Sequence, residues 1–175
     1  MARNLTNPET QMLMPIFKNT LRYGSIVCKI NEANSGGVGN SITPAGTAYF
    51  SKLIYCADFS KTNPQDQWVF VHEIVHVWQW GHGIYPVNAA IGIFLQTGGA
   101  YANAYPYDLT PGKDLNDFNI EQQASIVADY WALQTKNLTP QNNKNKNATL
   151  GDYNAVIDQL QKSGPPVSKL DQTPL

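Results

Sequence analysis

The residues best suited to chemistry lie close together near the middle of this 175-residue chain. All of its histidines, His72, His76 and His82, fall within eleven residues, and Glu73 follows the first of them. On a helix, His72 and His76 lie one turn apart on the same face, so both imidazoles can bind one Zn²⁺. Glu73 is then placed to exchange a proton with a water beside that metal. The pattern therefore predicts a hydrolytic zinc site with His72 and His76 as ligands and Glu73 as the catalytic base.

The helix that carries this motif is predicted over residues 64–80. Asn63 and Pro64 are typical of a helix start, Asp66 suits the positive end of the helix dipole, and Gly81 suits the helix end. Apolar residues lie nearly all round this helix, which predicts that it is buried. A buried polar side chain without a partner costs about 2–7 kcal/mol, so burial favours a bound metal over the alternative, a hydrogen-bonded core cluster.

A catalytic zinc site needs a third protein ligand and keeps a fourth position for water. His82 has the spacing of a third histidine in the pattern His-Glu-x-x-His-x-x-Gly-x-x-His, but Gln79 stands where that pattern has its turning glycine. Without the turn, the helix would carry His82 away from the metal, to cap or follow the helix end. Glu121 is the favoured third ligand, because it adjoins the apolar stripe of a second helix predicted over residues 117–131. Asp129 on that helix is the weaker candidate, and Glu121 could instead serve only as a first-turn acid.

A small antiparallel sheet is expected before the motif. Residues 25–31 and 47–57 have the pattern of strands, and the Gly-, Ser- and Asn-rich residues 34–40 connect them. Cys28 and Cys56 lie in these predicted strands, so the sequence allows either a cross-strand disulfide or two free thiols. Residues 47–54 are also the expected edge strand that pairs with an extended substrate.

The remaining segments complete an α+β prediction. A helix is expected to begin at Asn7 and Pro8, to break at Pro15 and to continue over residues 16–23. One domain is predicted over residues 1–163, followed by a loose tail over 164–175. The other predicted segments are a short helix over 87–96, a polar linker over 137–147 and an amphipathic helix over 150–160.

Composition excludes several classes of function. The net charge is −1 and 14% of residues are charged, so the chain is not basic enough to indicate a nucleic-acid partner. No membrane span is expected, because the most apolar run, residues 87–95, is too short and contains Asn88. The polar N-terminus lacks the apolar region of a secretory signal, so export by the general secretory route is not expected.

Three segments carry a resemblance to a known family. Residues 72–79, 119–124 and 128–130 resemble small zinc-metallopeptidase-like proteins described as Vgr-related or Rhs-associated, which are encoded with bacterial type VI secretion systems. The similarity extends over about residues 5–135. Weaker matches lie in the strand region, at residues 41–50 and 55–60.

The resemblance implies a zincin-like fold of the gluzincin type, in which a small antiparallel sheet packs on the buried motif helix. His72, His76 and Glu121 would bind Zn²⁺, and Glu73 would be the base that hydrolyses peptide bonds in protein or cell-wall peptide. The protein would be an effector toxin of the producer's cytoplasm, delivered by the type VI route to the periplasm or cytoplasm of a target cell. Its partners would be a peptide or protein substrate, a carrier in the secretion apparatus and a cognate immunity protein.

Two further functions stay open. One is a catalytically silent zincin-fold binding or adaptor module of the secretion apparatus, and the other is a zinc amidase acting on a non-protein substrate. The intact Glu73 favours an enzyme, because structural zinc sites close the fourth position and need no base. The donor that would stabilise the oxyanion is left open among Tyr101, Tyr105, Tyr107, Tyr130 and His82.

Overall fold

The computed structural model describes residues 2–32, 41–85 and 101–163, and the side chains of 101 and 163 are not part of that description. The predicted connection 34–40, the predicted helix 87–96 and the predicted tail 164–175 lie outside the described residues. The described strands are β1 (Ala2–Asn4), β2 (Val27–Asn31) and β3 (Ala48–Ser51). The described α-helices are α1 (Asn7–Phe17), α2 (Pro64–Gly81), α3 (Ile120–Lys136) and α4 (Leu150–Ser163). The predicted α+β class is confirmed, and the zincin-like assignment stays a prediction.

Helix α1 differs from its prediction at both ends. Thr6, not Asn7, is the N-cap, because its hydroxyl accepts the Glu9 amide while the Glu9 carboxylate accepts the Thr6 amide. Pro15 lies inside the last turn and the helix ends two residues later, so the predicted continuation over 16–23 is wrong. A proline this close to the end removes few ladder hydrogen bonds, and Gln161 of α4 donates to the carbonyls of Pro15 and Ile16.

Strand β1 is absent from the sequence prediction, and a partly buried ion pair helps to hold it in place. The Arg3 guanidinium donates to both carboxylate oxygens of Glu9, at 2.6 and 2.8 Å, and Arg3 Nε donates to the carbonyl of Cys56 at 3.0 Å. Glu9 is fully buried and also accepts the amide of Phe59 at 2.8 Å. These contacts join β1 to α1 and to the chain that follows β3.

The sheet has the order β1-β2-β3, with β1 antiparallel to β2 and β2 parallel to β3. The prediction of an antiparallel sheet is therefore wrong for the β2–β3 pair. Parallel neighbours need a connection of a dozen or more residues, and the chain has 16 residues between Asn31 at the end of β2 and Ala48 at the start of β3. The predicted strand 47–57 ends at Ser51, so Cys56 lies beyond it, and both Cys28 and Cys56 are free thiols.

The core lies between the sheet, α2 and α3. The rings of Phe50, Phe59 and Phe70 pack between β3 and α2, and the Phe59–Phe70 centroids are 4.8 Å apart. Helix α4 covers the remaining side with the apolar residues that its pattern predicts, Tyr153, Val156, Ile157 and Leu160, which are all buried. Helix α2 is buried nearly all round, as predicted, so its polar side chains are held inside the protein. None of the helices in the described part of the chain has the length and apolarity that a membrane crossing requires.

Candidate metal centre

Three side chains from α2 and α3 converge on one point. His72 Nε2 lies 3.1 Å and His76 Nε2 lies 3.3 Å from Glu121 Oε2, and the two histidine nitrogens are 3.2 Å apart. All three residues are buried. Ligands bound at 2.0–2.1 Å around a tetrahedral Zn²⁺ lie about 3.3 Å from one another. The spacing of these three atoms therefore fits a zinc ion, and this is the one such ligand cluster found among the described residues.

The charge distribution of this cluster also suits a cation. Burial alone would raise the pKa of Glu121, but His76 and His72 hold that pKa well below its usual range, so the group is a carboxylate. Burial alone would lower the pKa of His76, but the Glu121 carboxylate and a hydrogen bond with it raise that pKa to about 9. A buried anion between two imidazoles thus favours a positive charge at the point where the three side chains meet.

Glu73 lies on the same helix, one residue after the first histidine. It is buried, and burial raises the pKa of its carboxyl group although both neighbouring histidines lower it. Thr43 Oγ1 donates to Glu73 Oε2 at 2.7 Å, which holds the carboxylate in one orientation. A raised proton affinity and a fixed orientation suit a group that takes up a proton and later returns it. Sequence reasoning missed Thr43, because no spacing rule links it to the motif.

Thr43 belongs to a short segment, residues 41–43, that covers the outer edge of β3. The amide and the carbonyl of Ile42 each bond to Tyr49, at 2.8 Å, in an antiparallel bridge. The prediction that β3 itself offers its edge to a substrate is therefore wrong at Tyr49. The segment 41–43 thus joins this edge of β3 to Glu73 through the buried Thr43.

Among the tyrosines whose side chains the structure describes, Tyr105 has its ring close to a predicted ligand. Its ring centroid lies 5.8 Å from that of His72, and the residue is half-buried. Burial, and then the charges of Glu121 and Glu73, raise the pKa of the Tyr105 hydroxyl, so this hydroxyl keeps its proton. Tyr105 can therefore act as a hydrogen-bond donor beside the metal centre.

The other predicted oxyanion donors have different surroundings. Tyr107 bonds through its hydroxyl to Asp129 at 2.7 Å and to Tyr153 at 2.8 Å, and the ring of Tyr130 packs on Tyr153. The side chain of Tyr101 lies outside the described residues. These contacts place Tyr107 and Tyr130 in the packing of α3 against α4.

His82 is not part of the metal cluster. It is the exposed C-cap of α2, and its Nδ1 donates to the carbonyl of Trp78 at 2.7 Å. The prediction that His82 caps the helix end is confirmed. The helix continues through Gln79 to Gly81, so it carries His82 beyond the turn that bears His76.

Asp129, the weaker candidate for the third ligand, accepts hydrogen bonds in the core instead of joining the ligand cluster. It is fully buried, and its carboxylate accepts the hydrogen bonds of five donors. These donors are Trp68 Nε1, the Tyr107 hydroxyl and the amides of Gln141, Asn142 and Asn143. The predicted polar linker 137–147 is therefore fixed to α3 by these hydrogen bonds. The Trp68 ring also stacks on His72, with centroids 5.2 Å apart, so Asp129 supports the wall of the metal centre.

Comparison with known proteins gives two similarities, and no family model matches the chain. Over 133 residues, 74% of this chain, it is 33% identical to the type VI secretion system spike protein VgrG2b of Pseudomonas aeruginosa, and the match covers 13% of that protein. It is also similar to the solved effector domain of Pseudomonas aeruginosa VgrG2b, with a TM-score of 0.67 and 27% identity, covering 91% of this chain and 84% of that chain. The chain is thus a homologue of a type VI effector domain. The expected relationship to Vgr-related proteins is confirmed, and the metallopeptidase activity stays a prediction.

Proposed function

We propose that this chain is a zinc-dependent peptidase that acts as a type VI secretion effector. The observation that carries the proposal is the convergence of His72, His76 and Glu121 beside the buried Glu73. Two imidazoles and one carboxylate are a typical ligand set for catalytic zinc, and they leave a fourth position for water or substrate. When bound there, zinc would supply an acidified water and polarise the carbonyl of the substrate.

The protein's own residues would then carry the proton transfers. Glu73 takes a proton from the attacking water and afterwards donates a proton to the leaving amine nitrogen. Its raised pKa supports this role, since a group that must both accept and return a proton works best near the working pH. Thr43 keeps the Glu73 carboxylate in position through its 2.7 Å hydrogen bond.

The edge at residues 41–43 supports a peptide as the substrate. On this proposal, an extended peptide lies beside the segment that already extends the sheet through the Ile42–Tyr49 bridge. The hydrogen bond between Thr43 and Glu73 brings this edge directly to the catalytic base. A peptide paired there would have its backbone carbonyls aligned along the metal centre.

Tyr105 is the proposed donor to the oxyanion. Replacing Tyr105 by Phe is expected to lower kcat about 10²–10³-fold, because one oxyanion donor is lost, while KM and zinc content stay near wild-type values. Tyr130→Phe makes the same change at a tyrosine that packs on Tyr153 instead of on a ligand, and it should leave kcat unchanged. A Tyr105→Phe variant with wild-type kcat would remove this residue from the mechanism.

Metal analysis followed by a cleavage screen tests the proposed function. The purified chain should contain one zinc per molecule, and His72→Ala should contain none. The zinc-loaded chain is then incubated separately with a peptide library, cell-wall muropeptides and non-peptide amides. The Glu73→Gln variant is the inactive control. Cleavage of peptide bonds supports the proposal. Zinc without cleavage of any substrate indicates a binding module, and cleavage of non-peptide amides alone indicates an amidase.

The route of delivery is proposed from the similarity to the VgrG2b effector domain. On this proposal the chain travels with the secretion spike and has a cognate immunity protein in the producing cell. To identify the target compartment, the chain is expressed in a susceptible bacterium either with or without a periplasmic export signal. Growth arrest by the exported form indicates a periplasmic target, and growth arrest by the form without the signal indicates a cytoplasmic one. Growth unaffected by either form would count against an effector.

A further inference from the structure

Gln79 is a fully buried amide side chain next to the metal centre that sequence reasoning treated only as a missing glycine. Its Oε1 lies 2.7 Å from His76 Nδ1. Its Nε2 donates to the carbonyl of Ile120 at 3.1 Å and to Gln123 Oε1 at 3.0 Å. The Gln79 amide therefore contacts one ligand residue directly and also the backbone just before Glu121.

These bonds determine which atoms donate. Because the Gln79 nitrogen faces two acceptors, its oxygen must face His76, and His76 Nδ1 must carry the hydrogen. In the neutral, metal-binding form of the ring, His76 Nε2 is then the nitrogen whose lone pair is free for a metal. The Gln123 nitrogen donates in turn to the carbonyls of Leu115 and Phe118, at 3.0 Å each, so the Gln123 oxygen is also fixed in its orientation toward Gln79.

We propose that Gln79 is a positioning residue of the metal centre, a role that rests on the proposed zinc site. It holds His76 in the tautomer that binds metal through Nε2, and it joins α2 to the first turn of α3, from which Glu121 extends. One side chain thereby positions two of the three ligands. The other histidine ligand lacks such a partner, since the Nδ1 atom of His72 has no hydrogen-bond partner among the described residues.

Zinc affinity tests this role without relying on catalysis. Gln79→Met keeps the side-chain volume but removes both ends of the amide, and it should weaken zinc binding about 10–100-fold, the usual effect of losing a partner that orients a ligand. Gln67→Met is the matched control. Gln67 is a buried glutamine of the same helix whose amide donates to the carbonyl of Ser60 and not to a ligand, so the zinc Kd of the Gln67→Met variant should stay at the wild-type value. Both affinities are measured by competition with a chelator, and circular dichroism verifies folding.

A second measurement reports on the His76 hydrogen bond itself, and it serves even if Gln79→Met fails to fold. In the zinc-loaded protein, the His76 Nδ1 proton should give a slowly exchanging signal by ¹⁵N-edited NMR. Gln79→Glu replaces the neutral acceptor by a charged one, which shortens and strengthens the bond, so this signal should move downfield. A signal at the wild-type position in Gln79→Glu would overturn the proposed contact.

The outcomes separate this inference from the function on which it rests. A wild-type chain that binds no zinc contradicts the proposed function and the role of Gln79 together. Zinc binding in the wild type with an unchanged Kd in Gln79→Met overturns the role of Gln79 alone. An equal loss in Gln67→Met and Gln79→Met also overturns it, because the effect would then come from general loosening of α2.

Discussion

Replacing Glu73 by Gln is expected to leave zinc bound and to lower kcat/KM by at least about 10²–10⁴-fold, the usual contribution of general acid–base catalysis. Glu73 is not one of the three converging ligands, so the metal should stay. The amide keeps the shape of the side chain and can still contact Thr43, but it cannot take a proton from water. Zinc content and cleavage rates measured on the same sample test both halves of this expectation.

Glu32→Gln is the matched control for that experiment. It makes the same chemical change at an exposed glutamate directly after β2, so the cleavage rate and the zinc content should both stay at wild-type values. Wild-type hydrolysis by Glu73→Gln would exclude Glu73 as the base. Loss of zinc in Glu73→Gln would instead show that the carboxylate supports the ligands, and the catalytic role would then be unproven.

Replacing Glu121 by Gln is expected to weaken zinc binding more than about 100-fold, beyond the usual 10–100-fold effect of changing a residue that only orients a ligand. The variant removes the negative charge and the carboxylate that lie 3.1 and 3.3 Å from the two histidine nitrogens. A neutral amide does not replace a carboxylate as a zinc ligand. Chelator competition gives the Kd. Added zinc at 100 times the wild-type Kd should stabilise the wild type by about 2.7 kcal/mol and the variant by less than about 0.4 kcal/mol, so the Tm of the variant should rise far less.

His82→Ala is the control that distinguishes the two candidate third ligands. His82 is exposed at the end of α2 and bonds to Trp78, so its removal should leave the zinc Kd unchanged. Retained zinc in Glu121→Gln together with lost zinc in His82→Ala would mean that the third ligand is His82. Loss in both variants would indicate a metal site that differs from the converging cluster.

Helix α2 shows how much of the candidate site was predictable from the sequence. The N-cap Asn63 and the terminal Gly81 predicted a helix over 64–80, and the structure has Pro64–Gly81. The ends of a helix can be recognised from the sequence because a capping residue satisfies backbone groups only a few residues away. The one-turn spacing then places His72 and His76 on one face whatever the rest of the fold does. Glu121 was selected by its position beside an apolar stripe, which reports the buried face of a helix.

The sheet shows what local sequence patterns do not predict. Alternation of apolar residues indicates a strand, but it does not identify the neighbouring strand or its direction, so the parallel pairing of β2 and β3 was not predicted. Strand β1 depends on the Arg3–Glu9 ion pair, and the linker 137–147 is held by Asp129. These contacts join residues that are distant in sequence or lack a recognised motif.

The sequence by itself thus determined which side chains could form the candidate site: a histidine pair and Glu73 on one helix and a downstream carboxylate, the residues on which the proposed zinc hydrolase rests. Only the tertiary structure decided how those side chains are supported. It placed the Tyr105 ring near His72, brought Thr43 to the Glu73 carboxylate, and made Gln79 a hydrogen-bond partner of His76. The physical reason is that a ligand pair on one helix is set by helical geometry, whereas its supporting contacts arise only when separate elements pack together.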